Sequence, residues 1–256
     1  MGYTAVNKPT VDIITVVLNR KTEFEKTINS IFRQRYVNLN LIVIDGGSVD
    51  GTIDLLKLNS DKIKFWMSEP DSGIYDAMNK GLKHSEADYV WFINSGDEIY
   101  SEDLLSKVFE IPVEYDAYYG DMVYIDEQGN NLGRRTLKSP PDELSWKSFI
   151  NGMVVSHQSL IIKRTKAVDY NLSYKHVADL DWCIRSLKNC SSILNTKLTL
   201  SKFLVGGYSK KNIVKSNIER FKILLKHFNP LQVIRTQLIL AVKFVIYFFS
   251  TRKKYY

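Results

Sequence analysis

The sequence predicts an α/β chain: a Rossmann-like, mostly parallel mixed sheet flanked by helices, followed by a helical amphipathic tail. Three observations carry this. Between residues 11 and 93, runs that are apolar throughout alternate with segments of helical period. Acidic residues stand directly after successive strand ends. From Lys202 onward the composition turns basic and aliphatic.

The elements follow in order. Val11–Leu18 (VDIITVVL) is a β-branched run that reads as a strand buried on both faces. Thr22–Tyr36 reads as a helix with Phe24, Ile28, Ile31 and Phe32 on one side and Thr22 as its cap. Asn40–Asp45 is a second strand, ending in the turn GGSVDGT and a short helix. Lys62–Ser68 is a third strand. Ser72–His84 is a helix with Ile74, Ala77, Met78 and Leu82 on one face, and Asp88–Ile93 is a fourth strand that runs into Asn94-Ser95-Gly96-Asp97. The second half predicts a hairpin of Tyr115–Ile125 with Asn131–Thr136, a loop over Ser139–Gly152 and a strand at His157–Lys163. A short helix at Asp179–Leu187 and two strands within Ser192–Val205 complete it.

The tail is helical. Ile218, Phe221, Leu224, Leu225 and Phe228 form one apolar face before Pro230 breaks the helix. In Leu231–Phe249, Gln232, Arg235, Thr236, Lys243 and Ser250 fall on one stripe at 100° per residue, with only Gln237 off it. This pattern fits a helix lying in a membrane plane better than a span, in which Lys243 would sit near the middle. The alternative cover for that face is the protein's own body or a twin subunit in a homodimer.

Charge supports the division. The net charge of +7 is an average over unlike parts. From Lys202 on there are 12 Lys/Arg and one acid, Glu219, against 23 basic and 27 acidic residues before it. The body is therefore about −4 and the tail about +11. Such a tail would meet nucleic acid or anionic lipid. Its long aliphatic runs (Phe244, Val245, Ile246, Phe248, Phe249) favour lipid and argue against nucleic acid. Arg252-Lys253-Lys254 would meet headgroups. Cys183 and Cys190 match neither a disulfide framework nor a zinc spacing, and the first ten residues lack a secretory apolar stretch. The expectation is a cytoplasmic protein, peripheral on the inner face of the cell membrane.

The acids mark the chemistry. Asp45 ends the second strand with Asp50 close behind, Glu69 and Asp71 follow the third, and Asp97 and Glu98 the fourth. In open α/β sheets ligands bind beyond the carboxyl ends of the strands, where carboxylates can hold a base, a ribose or a cation on a diphosphate. A P-loop and a G-x-G-x-x-G fingerprint are both absent from the sequence.

Six segments occur in order: IITVVLNR, IDGGSVDGT, EPDSGIYDAMNKG, WFINSGDE, SHQSLIIKR and HVADLDWCIR. Together, over about Val11 to Ser209, they resemble the family-2 glycosyltransferases of GT-A fold, in particular the bacterial polysaccharide branch with an N-S-G-D motif. The resemblance implies inverting transfer of a sugar from a nucleotide donor, with UDP the expected nucleotide, to a glycan or lipid-linked acceptor, usually with Mg²⁺ or Mn²⁺. It implies a nucleotide site on Asn19, Asp45, Asp50, Asp71, Lys80 and Asn94. The family's D-x-D-D stretch aligns with Asn94, Ser95, Gly96 and Asp97, which leaves Asp97 as the metal ligand. The missing acids there also keep open a chain that has the fold without catalysis. Asp179 aligns with the catalytic base, with Asp181 as the alternative. His157 and Gln158 would line the acceptor site or touch the leaving phosphate, and Gly206-Gly207-Tyr208-Ser209 resembles a loop that closes over the donor. The expected organisation is a glycosyltransferase domain over 1–210, with a nucleotide half at about 11–100 and an acceptor half at about 101–210, then the membrane-associating tail at 211–256.

Overall fold

The computed structural model describes residues 8–110, 113–135, 139–206 and 212–251. Strands β1 (Val11–Val17), β2 (Leu39–Asp45), β3 (Phe65–Ser68) and β4 (Tyr89–Phe92) are mutually parallel in the order β3-β2-β1-β4. They are linked by helices α1 (Lys21–Phe32), α2 (Thr52–Leu58) and α3 (Ile74–Lys83). The sheet continues as β8 (Leu160–Lys163), antiparallel to β4, then β6 (Ala117–Ile125), β9 (Ile193–Leu204) and β5 (Glu98–Ile99). β7 (Asn131–Arg134) pairs with β6 as the second arm of a hairpin. Short helix α4 (Leu104–Val108) follows β5, and α5 (Ala178–Lys188) precedes β9.

Alternation along β1 shows why its run is continuous. Ile14 and Val16 enter one core with α3 and α5, while Val11, Ile13 and Val17 enter a second core under α1 and α2. A strand covered on both faces has no polar face to spare. The one acid within it, Asp12, is fully buried at the edge away from the site. Its carboxylate accepts from Asn40, Ser85 and the amides of Glu86 and Ala87, and pairs with Lys64 at 3.3 Å.

Several expectations change in detail. Thr22 caps nothing: α1 starts at Lys21, whose amide donates to the Asp50 carboxylate. Ile74 is exposed, and Tyr75 takes the buried place on α3. His157–Ser159 is a 3-10 turn, so the strand starts at Leu160, and another 3-10 turn (Trp146–Asn151) interrupts the expected loop. One long strand, β9, replaces the two expected.

The tail forms α6 (Ile213–His227) and α7 (Pro230–Thr251). Asn229 accepts from the Leu231 amide and Pro230 takes the first helical position, so the proline starts a helix as well as ending one. The apolar face expected on α6 is split. Ile223 and Leu224 are buried on the body, whereas Ile218, Phe221 and Leu225 remain exposed. α7 docks at its start through buried Val233 and through Gln237, which donates to the Ile150 carbonyl at 3.0 Å. Among the described residues no helix is long and apolar enough to cross a membrane. Gly207, Tyr208 and Ser209 of the expected closing loop, and Arg252-Lys253-Lys254, lie outside the described residues.

Candidate active site

The nucleotide half contributes the ends of β2, β3 and β4. Asp45 is the last residue of β2, opposite Ser68 of β3. Its Oδ2 accepts from the amides of Gly47 (3.1 Å) and Ser48 (2.9 Å) and from the Ser68 hydroxyl (2.6 Å). Its Oδ1 is buried with no partner. A buried acceptor left open in this way is costly until a donor arrives. Asp71 folds back over the same turn. Its Oδ1 accepts from the Gly73 amide at 2.8 Å, and its Oδ2 lies 2.6 Å from where a Cβ on Gly46 would stand. Only glycine at 46 lets that carboxylate approach the strand end.

The other residues expected at the nucleotide mainly shape these loops. Asn19, in the left-handed region at φ 50°, donates its amide to Ser48 and accepts from the Val49 amide, tying the β1 loop to the β2 turn. Asp50 accepts from the Thr52 hydroxyl and amide and from Lys21; these bonds, the Thr52 hydroxyl first, hold its carboxyl below the usual range. Lys80 pairs with Glu69 at 2.7 Å and donates to the Pro70 carbonyl, so it braces the loop carrying Asp71. The Glu69 bond raises its ammonium above the ordinary value.

After β4 the chain makes the Asn94–Asp97 turn. Gly96 has φ +101°, and a Cβ there would stand 2.8 Å from Leu204 Cδ2. A third acid at this position would be strained and crowded, which accounts for the glycine. Asp97 is buried. Its Oδ1 accepts from the Leu204 amide (3.1 Å) and its Oδ2 from the Gln158 side-chain amide (3.0 Å). Burial outweighs those bonds and pushes its carboxyl up to about 6. Gln158, expected at the acceptor site or the leaving phosphate, is buried here and braces Asp97. Its own oxygen faces the Ser156 hydroxyl.

The acceptor half meets this turn through His157. Asn94 Nδ2 lies 3.2 Å from His157 Nε2, and His157 Nδ1 lies 3.7 Å from Asp179 Oδ2. An amide N–H can only donate, so Nε2 accepts from Asn94, while Nδ1, on the side of Asp179, is buried and makes no hydrogen bond. This orientation leaves Asn94 Oδ1 buried and unpartnered. Asp179 stands in the first turn of α5, one residue inside its start, with Val177 at the cap position. Its Oδ1 accepts from the Leu180 amide at 3.0 Å and more weakly from the Tyr75 hydroxyl at 3.4 Å. Its side chain keeps 25% exposure, so it can meet a substrate.

Asp181 faces the other way and is fully buried, bonded to Arg185 Nε at 2.6 Å and His227 Nε2 at 2.8 Å. Burial raises its carboxyl, but the His227 and Arg185 bonds prevail and hold it below the ordinary value. It anchors the tail helix α6.

The sequence reading did not single out Tyr75, His227 or Arg135, and noted Glu219 only as the lone acid of the tail. Glu219 accepts from three consecutive amides, Lys175 (2.7 Å), His176 (2.7 Å) and Val177 (2.8 Å), immediately before α5. Its isolation among twelve cations was the available signal. Among the described residues no three His, Cys, Asp or Glu side chains converge.

The model of glycosyl transferase family 2 matches residues 12–169. A glycosyltransferase of Mycobacterium tuberculosis is 29% identical over 83% of this chain and 82% of its own. A PGL/p-HBAD biosynthesis glycosyltransferase of Mycobacterium bovis is 30% identical over 71% of each chain. In structure, S. aureus TarS 1-349 in complex with UDP aligns with a TM-score of 0.65 at 16% identity, over 95% of this chain and 73% of that one. The mannosyltransferase PcManGT of Pyrobaculum calidifontis, with GDP-Man and Mn²⁺, aligns at 0.59 and 15% identity, over 92% of this chain and 70% of that one. The fold is thus the GT-A arrangement of a curled mixed sheet between helices.

Proposed function

The chain belongs to glycosyl transferase family 2, and from that premise we propose that it moves a sugar, with inversion, from a UDP-sugar to a hydroxyl of a glycan or lipid-linked acceptor in cell-surface polysaccharide synthesis. One observation carries the reading. The chain Asn94–His157–Asp179 brings the turn after β4 and the start of α5, from opposite halves of the molecule, to one place. Asp45 Oδ1, an open buried acceptor, suits an imide N–H such as that of uracil, with Asp71 beside it. Asp97 and the free Oδ1 of Asn94 are hard oxygen ligands on one turn. They fit a single Mg²⁺ or Mn²⁺ that draws its other ligands from phosphate and water. Such an ion would neutralise charge on the departing diphosphate.

Asp179 takes the proton from the acceptor hydroxyl. The freed oxygen attacks the anomeric carbon from the face opposite the diphosphate, and the bond to the diphosphate breaks with its electron pair. One displacement inverts the configuration. His157 Nδ1 lies 3.7 Å from one oxygen of Asp179, and the Tyr75 hydroxyl lies 3.4 Å from the other. A location at the inner face of the membrane is supported by the tail, where α7 exposes Leu231, Leu238, Val242 and Ile246, with Arg235 and Lys243 also exposed along its length.

Calorimetric titration with UDP, GDP, CDP and ADP, with and without Mn²⁺, tests the donor site. The expected result is metal-dependent binding of UDP that Asp97→Ala abolishes. Binding of none by the folded protein would sink the reading. Asp179→Asn should lower kcat by roughly 10²–10⁴ while leaving UDP affinity intact. Unchanged turnover would remove Asp179 as the base.

A further inference from the structure

We propose that Arg135 forms a phosphate subsite beside the segment that runs from Met153 to His157. This deepens the glycosyl-transfer reading and rests on it. β7 is exposed along its length up to Arg134, but Arg135, just past its end, carries its guanidinium inward. Nη1 donates to the Met153 carbonyl at 2.6 Å, four residues before His157, and Nε is buried with no partner.

No carboxylate among the described residues lies within ion-pair distance of Arg135. The nearest candidate on β6, Asp121, is taken by the preceding residue: Arg134 Nη1 lies 3.4 Å from Asp121 Oδ2, and Arg134 Nη2 donates to Thr199 at 3.0 Å. Burial presses the Arg135 guanidinium below its ordinary value, while Tyr124, Asp121 and Asp179 act in the opposite sense.

A buried guanidinium with an idle N–H is costly unless an anion completes it. A planar fork of donors selects an anion with two oxygens on one centre, and phosphate fits better than a hydroxyl. In a glycosyl transfer, phosphate reaches this place from two sources: the diphosphate of the donor, or the phosphate of a lipid-linked acceptor. The chemistry of recognition is the same for both, and binding measurements separate them.

The full chain is titrated with UDP, with uridine, with inorganic pyrophosphate in the presence of saturating uridine, and with farnesyl diphosphate in the presence of saturating UDP, as wild type and as Arg135→Gln, Arg135→Lys and Arg135→Met. Arg135→Gln is expected to weaken a phosphate-bearing probe by about tenfold to a hundredfold and to leave uridine unchanged. Loss on UDP assigns the donor diphosphate. Normal UDP affinity with loss of farnesyl diphosphate binding, measured with UDP saturating, assigns the acceptor phosphate. Arg135→Lys keeps the charge without the fork and should fall between; it decides the matter if the Gln variant does not fold. Arg135→Met should melt no lower than wild type, because it removes an incompletely paired buried charge.

Unchanged affinity for every phosphate probe overturns the subsite. So does a fall of several degrees in the melting temperature of Arg135→Met, which would make the residue structural. If wild type binds no nucleoside diphosphate, the donor reading fails separately. Pyrophosphate binding that depends on Arg135 would then still support the subsite, and pyrophosphate binding indifferent to it would overturn it.

Discussion

Two aspartates of the site titrate in opposite senses because their surroundings differ. Asp97 is buried with two neutral donors, and its carboxyl rises to about 6. Asp181 is buried with Arg185 and His227, and its carboxyl falls. For Asp97 the folded chain binds the proton more tightly than the unfolded chain. Between the ordinary value of 3.8 and about 6, stability therefore falls as pH rises, and above that window the ionised group is a standing cost. A cation on Asp97 would displace that proton. Mn²⁺ affinity should drop as pH falls through about 6, with proton release on binding near that pH. Calorimetry in buffers of different ionisation enthalpy measures the release, and a binding heat independent of buffer at pH 6 would take the ion off Asp97. Asp181 contributes with the reverse sign: its stabilisation holds above the unfolded value and is lost as pH falls through the folded one. Asp181→Asn should cost on the order of 3–5 kcal/mol, by breaking a buried ionic pair. Denaturant unfolding checks this, and a stable Asp181→Asn chain without turnover would return Asp181 to the catalytic role. Sequence pattern singled out Asp45 and Asp97 because strand ends are local features, and the family resemblance singled out Asp179. It could not tell that Gln158 turns in to Asp97 or that Tyr75 reaches Asp179, contacts that join residues 61 and 104 positions apart.

At the scale of elements, the parallel strands were the most legible part. β1, β2 and β4 are buried on both faces and write themselves as largely apolar runs. β5 and α4, with 2 and 5 residues, are too short to show a period. β9 reads as two strands for a physical reason. Lys197, at φ 58°, interrupts it, its amide donating to Asn195, and the register against β6 shifts from Tyr119↔Asn195 to Asp121↔Thr199. The short helix α5 was visible, but not what holds its start. Glu219 of α6 gathers the three amides before it, which orients the turn bearing Asp179. Glu219→Ala should lower the melting temperature and speed hydrogen exchange at Lys175, His176 and Val177. It should also reduce kcat more than it weakens UDP, since the donor acids lie on other elements. Glu219→Gln, which keeps one acceptor oxygen, should recover part of each. Equal loss of donor affinity and turnover would mean that α6 supports the whole body and not this segment in particular.

The whole molecule is electrically divided, with a body of about −4 and a tail of about +11. A tail this basic could simply lie on the acidic body, and part of it does dock: Val233 and Gln237, one turn apart, face the 3-10 turn at Trp146–Asn151. That contact explains the one residue off the polar stripe. Gln237 is polar on an apolar face because it bonds a backbone carbonyl there. Further along α7 the described side chains are more open. Leu238, Val242, Val245 and Ile246 are each more than half exposed. Apolar exposure on this scale, beside the exposed cations Arg235 and Lys243, suits an anionic bilayer. The protein should float with vesicles containing phosphatidylglycerol and not with neutral phosphatidylcholine vesicles. Binding should weaken with salt, since each cation near the surface adds about 1 kcal/mol, and duplex DNA should not compete. Leu238→Asp is a fair probe because the side chain is 63% exposed and its loss leaves the core intact. It should release the protein from vesicles with its melting temperature unchanged. If vesicle binding survives and a dimer in solution is lost instead, the face belongs to a twin subunit. The division of charge would then serve association of one chain's tail with another chain's body.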